Sequence, residues 1–359
     1  MPKRWTVAVI GCGIGRSHIE EGYARLPAQF EVRALCDLNQ ERVATIGDEF
    51  SVSRRTTSFD EVLAMADIDI IDIATPPGLH FPQAMAALAA GKQVVCEKPL
   101  VGSLAEVDQL AAAEAKAAGR LLPIFQYRYG NGLQKAKRII ELGLAGKPYL
   151  ATVETAWQRG AKYYSVPWRG RWETELGGAL LTHAIHAHDL LTYLMGDIAS
   201  VFSRTATRIN SIEVEDCAVA SLQMQSGALA SLSVTLGSAK EISRLRLCFE
   251  HVTFESSLAP YAPGDDPWQI IPTSPKAEVR ITAALAGWSH VPSRFEGLMA
   301  AYHQALESGG PLPVTIADAR RSLELITALY HAAETGEPVQ LPITPAHPKY
   351  SSWRPHVHS

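Results

Sequence analysis

The stretch Trp5-Thr6-Val7-Ala8-Val9-Ile10-Gly11-Cys12-Gly13-Ile14-Gly15-Arg16-Ser17-His18 decides the fold. Its first six residues read as a buried strand, the three glycines as a turn, and the residues from Arg16 toward Leu26 as a helix. A glycine-rich turn between strand and helix lets backbone N–H groups approach a pyrophosphate. Gly11, Gly13, Ile14 and Gly15 are therefore candidates to hold a dinucleotide, although the Gly-x-Gly-x-Gly spacing is one residue tighter than the usual fingerprint. Outward from this turn, Glu31 to Cys36 forms a second strand and delivers Asp37, 22 residues after Gly15. A carboxylate at that distance accepts hydrogen bonds from a ribose 2′-hydroxyl and repels a 2′-phosphate. Leu38-Asn39 supplies no arginine to bind such a phosphate, so NAD is preferred over NADP. Asp37 also fits a second role, as N-cap of the helix through Arg42 and Val43.

The alternation of strand and helix continues. Ser58-x-x-Glu61 and Ser103-x-x-Glu106 are capping boxes. Ile68 to Ala74 is a third major strand, ending in Thr75-Pro76-Pro77-Gly78-Leu79-His80. The alanine-rich run from Ala84 to Ala90 is closed by Gly91, and Gln93 to Cys96 reads as a short buried strand. Glu97-Lys98-Pro99 follows at its end, and Leu121 to Gln126 is a further strand. This order implies right-handed crossovers and a doubly wound parallel sheet of the Rossmann type over residues 1–126. Ligands of such sheets sit beyond the carboxyl ends of the strands. Thr75, Glu97 and Lys98 are thus expected beside the cofactor. The Lys98 ammonium is a compact donor on a flexible stem.

From residue 127 to 359 the pattern changes to an α+β domain with a large, mostly antiparallel open sheet. Helices are expected over Leu133–Leu142, near Pro292–Glu307 and over Ile316–Thr335, and strands over Tyr149–Trp157, Ala199–Ile209, Asp216–Gln225, Ala228–Leu236, Arg244–Phe254 and Ala277–Thr282. Leu258 to Pro275 is Pro/Gly-rich and reads as a long loop. Tyr163 to Trp172 is an aromatic, basic loop, suited either to walling a sugar site or to packing as a connector. Gly177 to Leu191 reads as one helix that sets Thr182, His186 and Asp189 on a shared face, with His183 at its border. Three histidines so close raise the question of a metal, but the spacing matches no zinc pattern and none is expected. Tyr350, Trp353 and Arg354 make the tail too apolar for a free terminus, and it is expected to dock.

Bulk properties exclude several classes. The 359 residues are 47% hydrophobic and 19% charged, with 33 basic and 37 acidic side chains and a net charge of −4. No basic stripe points to nucleic acid and no polybasic segment points to a membrane surface. The start of the chain runs straight into a strand without a signal-peptide pattern. Five cysteines, odd in number and without CxxC spacing, fit a reducing cytoplasm.

Taken together the chain resembles the Gfo/Idh/MocA family of nicotinamide-dependent sugar and polyol oxidoreductases. The resemblance rests on Gly11–Gly15 with His18, on Thr75-Pro76 with His80, on Glu97-Lys98-Pro99, on Trp168-Arg169, on Gly177-Gly178 through His186 to Asp189, and on Asp318-Ala319-Arg320 with Gly336. It implies that Lys98 and His186 flank the substrate carbon, that the Lys98–Pro99 bond is cis, and that the second domain's sheet builds a homodimer or homotetramer. It implies a cofactor site of Gly11, Gly13, Ile14, Gly15, Asp37, Thr75, Pro76, His80, Glu97, Lys98, Trp168 and Arg169. Substrate, a small polyhydroxylated molecule, would meet Lys98, Arg128, Trp168, Thr182, His183 and His186. Many members carry an Asp where this chain has Thr182, which orients a hydroxyl but cannot ionise. The reaction implied is hydride transfer at a secondary hydroxyl of a cyclic sugar or inositol. A glycoside-cleaving enzyme with tightly held NAD and a non-catalytic NAD-binding sensor are the alternatives.

Overall fold

The computed structural model describes residues 3–355. The chain divides into two compact units, one of residues up to Phe125 with Phe295–Arg320, the other of Gln126–Arg294 with residues from Arg321 onward. Residues 295–320, which the sequence reading places with the C-terminal domain, thus pack in the first unit. There Phe295 lies against His18 with ring centroids 4.7 Å apart.

The first unit is built on six parallel strands. They are β1 (Trp5–Ile10), β2 (Phe30–Cys36), β3 (Arg54–Thr56), β4 (Ile70–Ile73), β5 (Gln93–Cys96) and β6 (Leu121–Pro123), in the order β3-β2-β1-β4-β5-β6. β4 and β6 are buried along their whole length, as strands covered on both faces are. The register carries one rung across all six: Thr56, Cys36, Ile10, Ile73, Cys96 and Pro123 are successive Cα partners. The glycine-rich turn, Asp37 and the Glu97-Lys98-Pro99 turn each begin one residue beyond this rung. The helix His80–Ala89 that leads into β5 ends with Gly91 at φ +71°, where Gly91 N donates to Leu88 O and Lys92 N to Ala87 O. Left-handed backbone of this kind favours glycine. Ser58 and Ser103 accept from the amides of Glu61 and Glu106, as their spacing predicts.

The second unit carries eight strands. They are β7 (Pro148–Gln158), β8 (Ile198–Ala206), β9 (Cys217–Met224), β10 (Leu229–Thr235), β11 (Gly237–Phe249), β12 (Val252–Glu255), β13 (Gln269–Pro272) and β14 (Val339–Gln340), ordered β13-β12-β11-β7-β10-β9-β8-β14. Only the β7–β10 pair is parallel. Strict alternation in β10 buries Ala230, Leu232 and Val234 and leaves Leu229 exposed. Leu150 and Val219 are exposed as well.

Two sequence expectations fail here. Ala277–Thr282 is not a strand but part of helix Pro275–Leu285, capped by Ser274, whose side chain accepts from Ala277 N, and opened by Pro275. Cap and first-turn proline outweigh the short β-like run. The stretch read as a loop to Pro275 contains β13, which pairs with β12. The tail does dock on its own unit. Trp353 is 1% exposed and its Nε1 donates to Leu176 O at 2.7 Å. Lys349 Nζ lies 2.6 Å from Glu334. Among the described residues no helix is long and apolar enough to cross a membrane.

Candidate active site

In the first unit the glycine-rich turn is shaped for close approach. Gly11 has φ +92°, and a Cβ there would lie 2.5 Å from Ala74 O. A Cβ on Gly15 would lie 2.6 Å from Val9 Cγ1, whereas Gly13 faces open space. The amides of Gly13, Ile14 and Gly15 donate to no atom among the described residues. A turn with a bare glycine facing open space and with undirected N–H donors fits a pyrophosphate.

Asp37 anchors the turn: Oδ2 accepts from Cys12 N at 2.8 Å and Oδ1 from Asn39 N at 2.9 Å. The N-cap of helix Gln40–Glu49 is Asn39, not Asp37, so the capping role does not fall to Asp37. Arg42 Nη1 stands 3.3 Å from Asp37 Oδ2. Sequence inspection of Leu38-Asn39 misses this arginine because the first helical turn folds it back onto the strand end. Thr75 Oγ1 donates to Gln83 Oε1 at 2.7 Å.

Lys98 is held through its chain neighbours. The Lys98–Pro99 bond is cis. Lys98 N donates to Glu97 Oε2 at 2.9 Å, while Glu97 Oε1 meets His18 Nε2 at 3.0 Å. His18 Nδ1 lies 3.0 Å from both oxygens of Asp72 on β4. Burial alone would lower the His18 pKa, but Asp72 and Glu97 outweigh it and raise it to about 10. His18 is therefore an imidazolium between two carboxylates. On the other side of Lys98, His80 Nδ1 sits 2.8 Å from Pro99 O and Nε2 2.8 Å from Thr75 O. Burial lowers the His80 pKa against the pull of these carbonyls. Glu97 and His80, two of the residues assigned to the cofactor from sequence, bond within the protein on either side of the Lys98 turn. Buried Asp72 was not recognised from sequence, where it reads as one polar residue in an apolar strand.

In the second unit, Gly177–Leu191 is two helices, Ala179–Thr182 and Ile185–Met195. Thr182 Oγ1 donates back to Gly178 O at 2.9 Å and pairs with His183 Nδ1 at 2.7 Å, and Ala184 N reaches Ala179 O at 2.9 Å. The bond from Ala184 N to Ala179 O, one residue longer than the helical ladder, marks the break, so Thr182 lies on one helix and His186 and Asp189 on the next. The His186 ring stacks on Tyr127 at 4.2 Å, a partner that nothing in the sequence announces. Arg128 does not stand as an open substrate donor: its Nε and Nη2 fork onto Asp189 at 2.7 and 2.6 Å, both side chains buried. His183 lies edge-on to Trp157 at 5.6 Å and beside Tyr163 at 5.4 Å. The Arg169 guanidinium covers the rings of Tyr163 at 3.9 Å and Trp168 at 4.4 Å. Burial lowers the Arg169 pKa against the charge of Glu175, with Arg159 adding to the fall.

A glycine-cradled dinucleotide turn after β1 and a braced lysine after β5, level with it in the same sheet, define a dinucleotide-dependent oxidoreductase. Residues 5–125 match the oxidoreductase family with NAD-binding Rossmann fold, and residues 133–255 match the C-terminal domain of the same family. The chain belongs to the Gfo/Idh/MocA family. It is 25% identical over 360 residues to D-apiose dehydrogenase of Paraburkholderia graminis, covering 94% of this chain and 90% of that one. It is 27% identical over 322 residues to 1,5-anhydro-D-fructose reductase of Ensifer adhaerens, covering 87% and 91%. Among solved structures, the WlbA dehydrogenase of Bordetella pertussis in complex with NADH and UDP-GlcNAcA superposes with a TM-score of 0.83 at 29% identity, over 95% of this chain and 100% of that one.

Proposed function

We propose that the protein is an NAD-dependent dehydrogenase or reductase acting on a secondary hydroxyl of a cyclic sugar, sugar derivative or inositol. One observation carries the reading. The strand ends that deliver the glycine-rich turn, Thr75 and Lys98 are level in the sheet, Ile10, Ile73 and Cys96 being successive register partners. Dinucleotide cradle and lysine thus open from one edge of one sheet.

When bound, a nicotinamide cofactor supplies the acceptor of the hydride, or its donor in the reverse direction. Lys98 donates a hydrogen bond to the reacting oxygen and stabilises negative charge as the O–H bond breaks. His186 takes the hydroxyl proton, since an imidazole is matched to neutral pH. As the carbinol C–H pair departs, the C–O bond becomes a carbonyl. His183, fixed by the Thr182 hydroxyl, and Trp168 contribute to the substrate wall, and Arg169 backs the cofactor side. Arg128 acts at one remove, by holding Asp189 on the His186 helix. The Asp37 carboxylate supports NAD over NADP. The five cysteines, all free, support a cytoplasmic setting, and exposed Leu150, Val219 and Leu229 support a homodimer or homotetramer through the sheet.

The test is a substrate panel of D-apiose, myo-inositol and UDP-N-acetylglucosaminuronic acid with NAD or NADP, and 1,5-anhydro-D-fructose with NADH. Turnover is followed by the near-ultraviolet absorbance of the reduced nicotinamide. At least one compound turns over, and Lys98→Met lowers kcat by about 10³-fold with the NADH Kd little changed. Silence across the panel, or parent-like turnover in Lys98→Met, overturns the reading.

A further inference from the structure

Glu215 is 4% exposed and has no part in the chemistry above, yet it gathers the start of the histidine-bearing segment. Its Oε2 accepts from Gly178 N at 3.1 Å and its Oε1 from Leu180 N at 2.9 Å, while its own carbonyl accepts from Ala179 N at 2.8 Å. Three consecutive amides therefore end on one residue. Tyr330 OH donates to Glu215 Oε1 at 3.0 Å.

The two glycines of the segment are explained by this approach. A Cβ on Gly178 would lie 1.9 Å from Glu215 O, and one on Gly177 would lie 2.6 Å from Tyr330 OH. Glu215 is itself fixed. The adjacent Asp216 collects the amides of Arg208, Ile209 and Asn210 at 2.7, 3.0 and 2.8 Å.

A helix of one turn does not hold itself in water, and Ala179–Thr182 has four residues. The orphan N–H groups at its start need acceptors, which here come from a residue more than thirty positions away. The Gly178 carbonyl then receives the Thr182 hydroxyl, which meets His183 Nδ1 at 2.7 Å. Three hydrogen bonds thus connect the Glu215 carboxylate to His183, by way of Gly178 and Thr182, with His186 on the helix that follows. Burial raises the Glu215 pKa to about 7 against the pull of its donors, a cost that a merely space-filling side chain would not incur.

We infer that Glu215 is a positioning residue, which sets Thr182, His183 and His186 through the amides of Gly178, Ala179 and Leu180. The inference rests on the catalytic reading of His186. Glu215→Gln keeps the shape but turns an N–H₂ toward one backbone donor, so one amide bond is lost. In histidine-labelled protein the ring ¹⁵N signals of His183 and His186 shift, with the NADH Kd unchanged within about two-fold. On the panel compound with the highest rate, kcat per NADH-binding site falls about 10- to 100-fold, and Tyr330→Phe gives a smaller fall. If Glu215→Gln yields no folded protein, Tyr330→Phe is judged by the same criteria. Parent-like histidine signals with unchanged kcat per NADH-binding site overturn the inference, because a carboxylate that only stabilises lowers the number of competent sites and not their rate. Parent-like turnover in His186→Asn overturns the catalytic reading and the inference with it; loss there but not in Glu215→Gln overturns the inference alone.

Discussion

His18 Nε2 lies 3.0 Å from Glu97 Oε1, and this contact ties the helix after the dinucleotide turn to the residue before Lys98. The ring is fully buried and also bonded to Asp72, so its proton is shared by no solvent.

The contact carries a pH signature. The folded His18 pKa of about 10 exceeds its ordinary 6.5. Its stabilisation is complete below pH 6.5 and is lost as pH rises from 6.5 toward 10, at about 1.4 kcal/mol per unit. The denaturation midpoint of the first unit falls across that alkaline range. Glu97→Gln, which removes one of the two carboxylates, lowers the folded pKa, so the fall ends at lower pH and is smaller in total. A midpoint flat from pH 7 to 9.5 contradicts the imidazolium.

His188 works in the opposite sense. It is 1% exposed, neither ring nitrogen has a hydrogen-bond partner among the described residues, and burial lowers its pKa to about 3. Folded protein cannot take the proton that the unfolded chain takes, so stability is lost as pH falls below 6.5. His188→Leu removes both unsatisfied nitrogens. It raises stability by about 1–3 kcal/mol and flattens the urea midpoint between pH 6.5 and 4.5; a lower midpoint at neutral pH refutes this.

The proposed preference for NAD rests on Asp37, whose Oδ2 lies 3.3 Å from Arg42 Nη1. Asp37→Ala removes the carboxylate and frees Arg42 for a 2′-phosphate. The ratio of NADP to NAD affinities rises about ten-fold or more, equal to ~1.4 kcal/mol, and Arg42→Ala in that background reverses it. Fluorescence titration with NADPH and NADH measures both, and an unchanged ratio counts against the assignment.

Trp353 is the anchor of the tail. Trp353→Ala empties a fully buried site and releases Leu176 O, at a cost of about 3–5 kcal/mol. Urea unfolding followed by circular dichroism reads that loss, and limited proteolysis reads cleavage near Leu176. Trp353→Phe, which keeps the packing but drops the N–H, loses about 1–2 kcal/mol.

Much of the fold was legible because its signals are local. The periodicity switch near Tyr127, the serine caps and the glycine after Ala90 each act within a few residues. Candidate site residues stand out in the sequence only where a motif is continuous, as at Gly11–Gly15 and Glu97–Pro99. What escaped was long-range. Nothing near Asp72 or Glu215 in sequence announces that one meets His18 and the other three amides some thirty-five residues upstream. His80 and Arg128 have the residue types of ligand-binding groups, and only tertiary structure shows their bonds spent on Pro99, Thr75 and Asp189. Helix Pro275–Leu285 was misread because Val279 and Ile281 alternate with polar residues, a short pattern that cap chemistry overrides.

The shared rung through Ile10, Ile73 and Cys96 also limits how this chain can change length. Adding or deleting one residue within β1, β4 or β5 advances the following turn by about 3.3 Å and inverts the facing of its side chains, which would withdraw either the cradle or the lysine. Length variation is therefore confined to the amino ends of these strands and to the helices between them, so the sheet works as a gauge that keeps separately encoded loops in alignment.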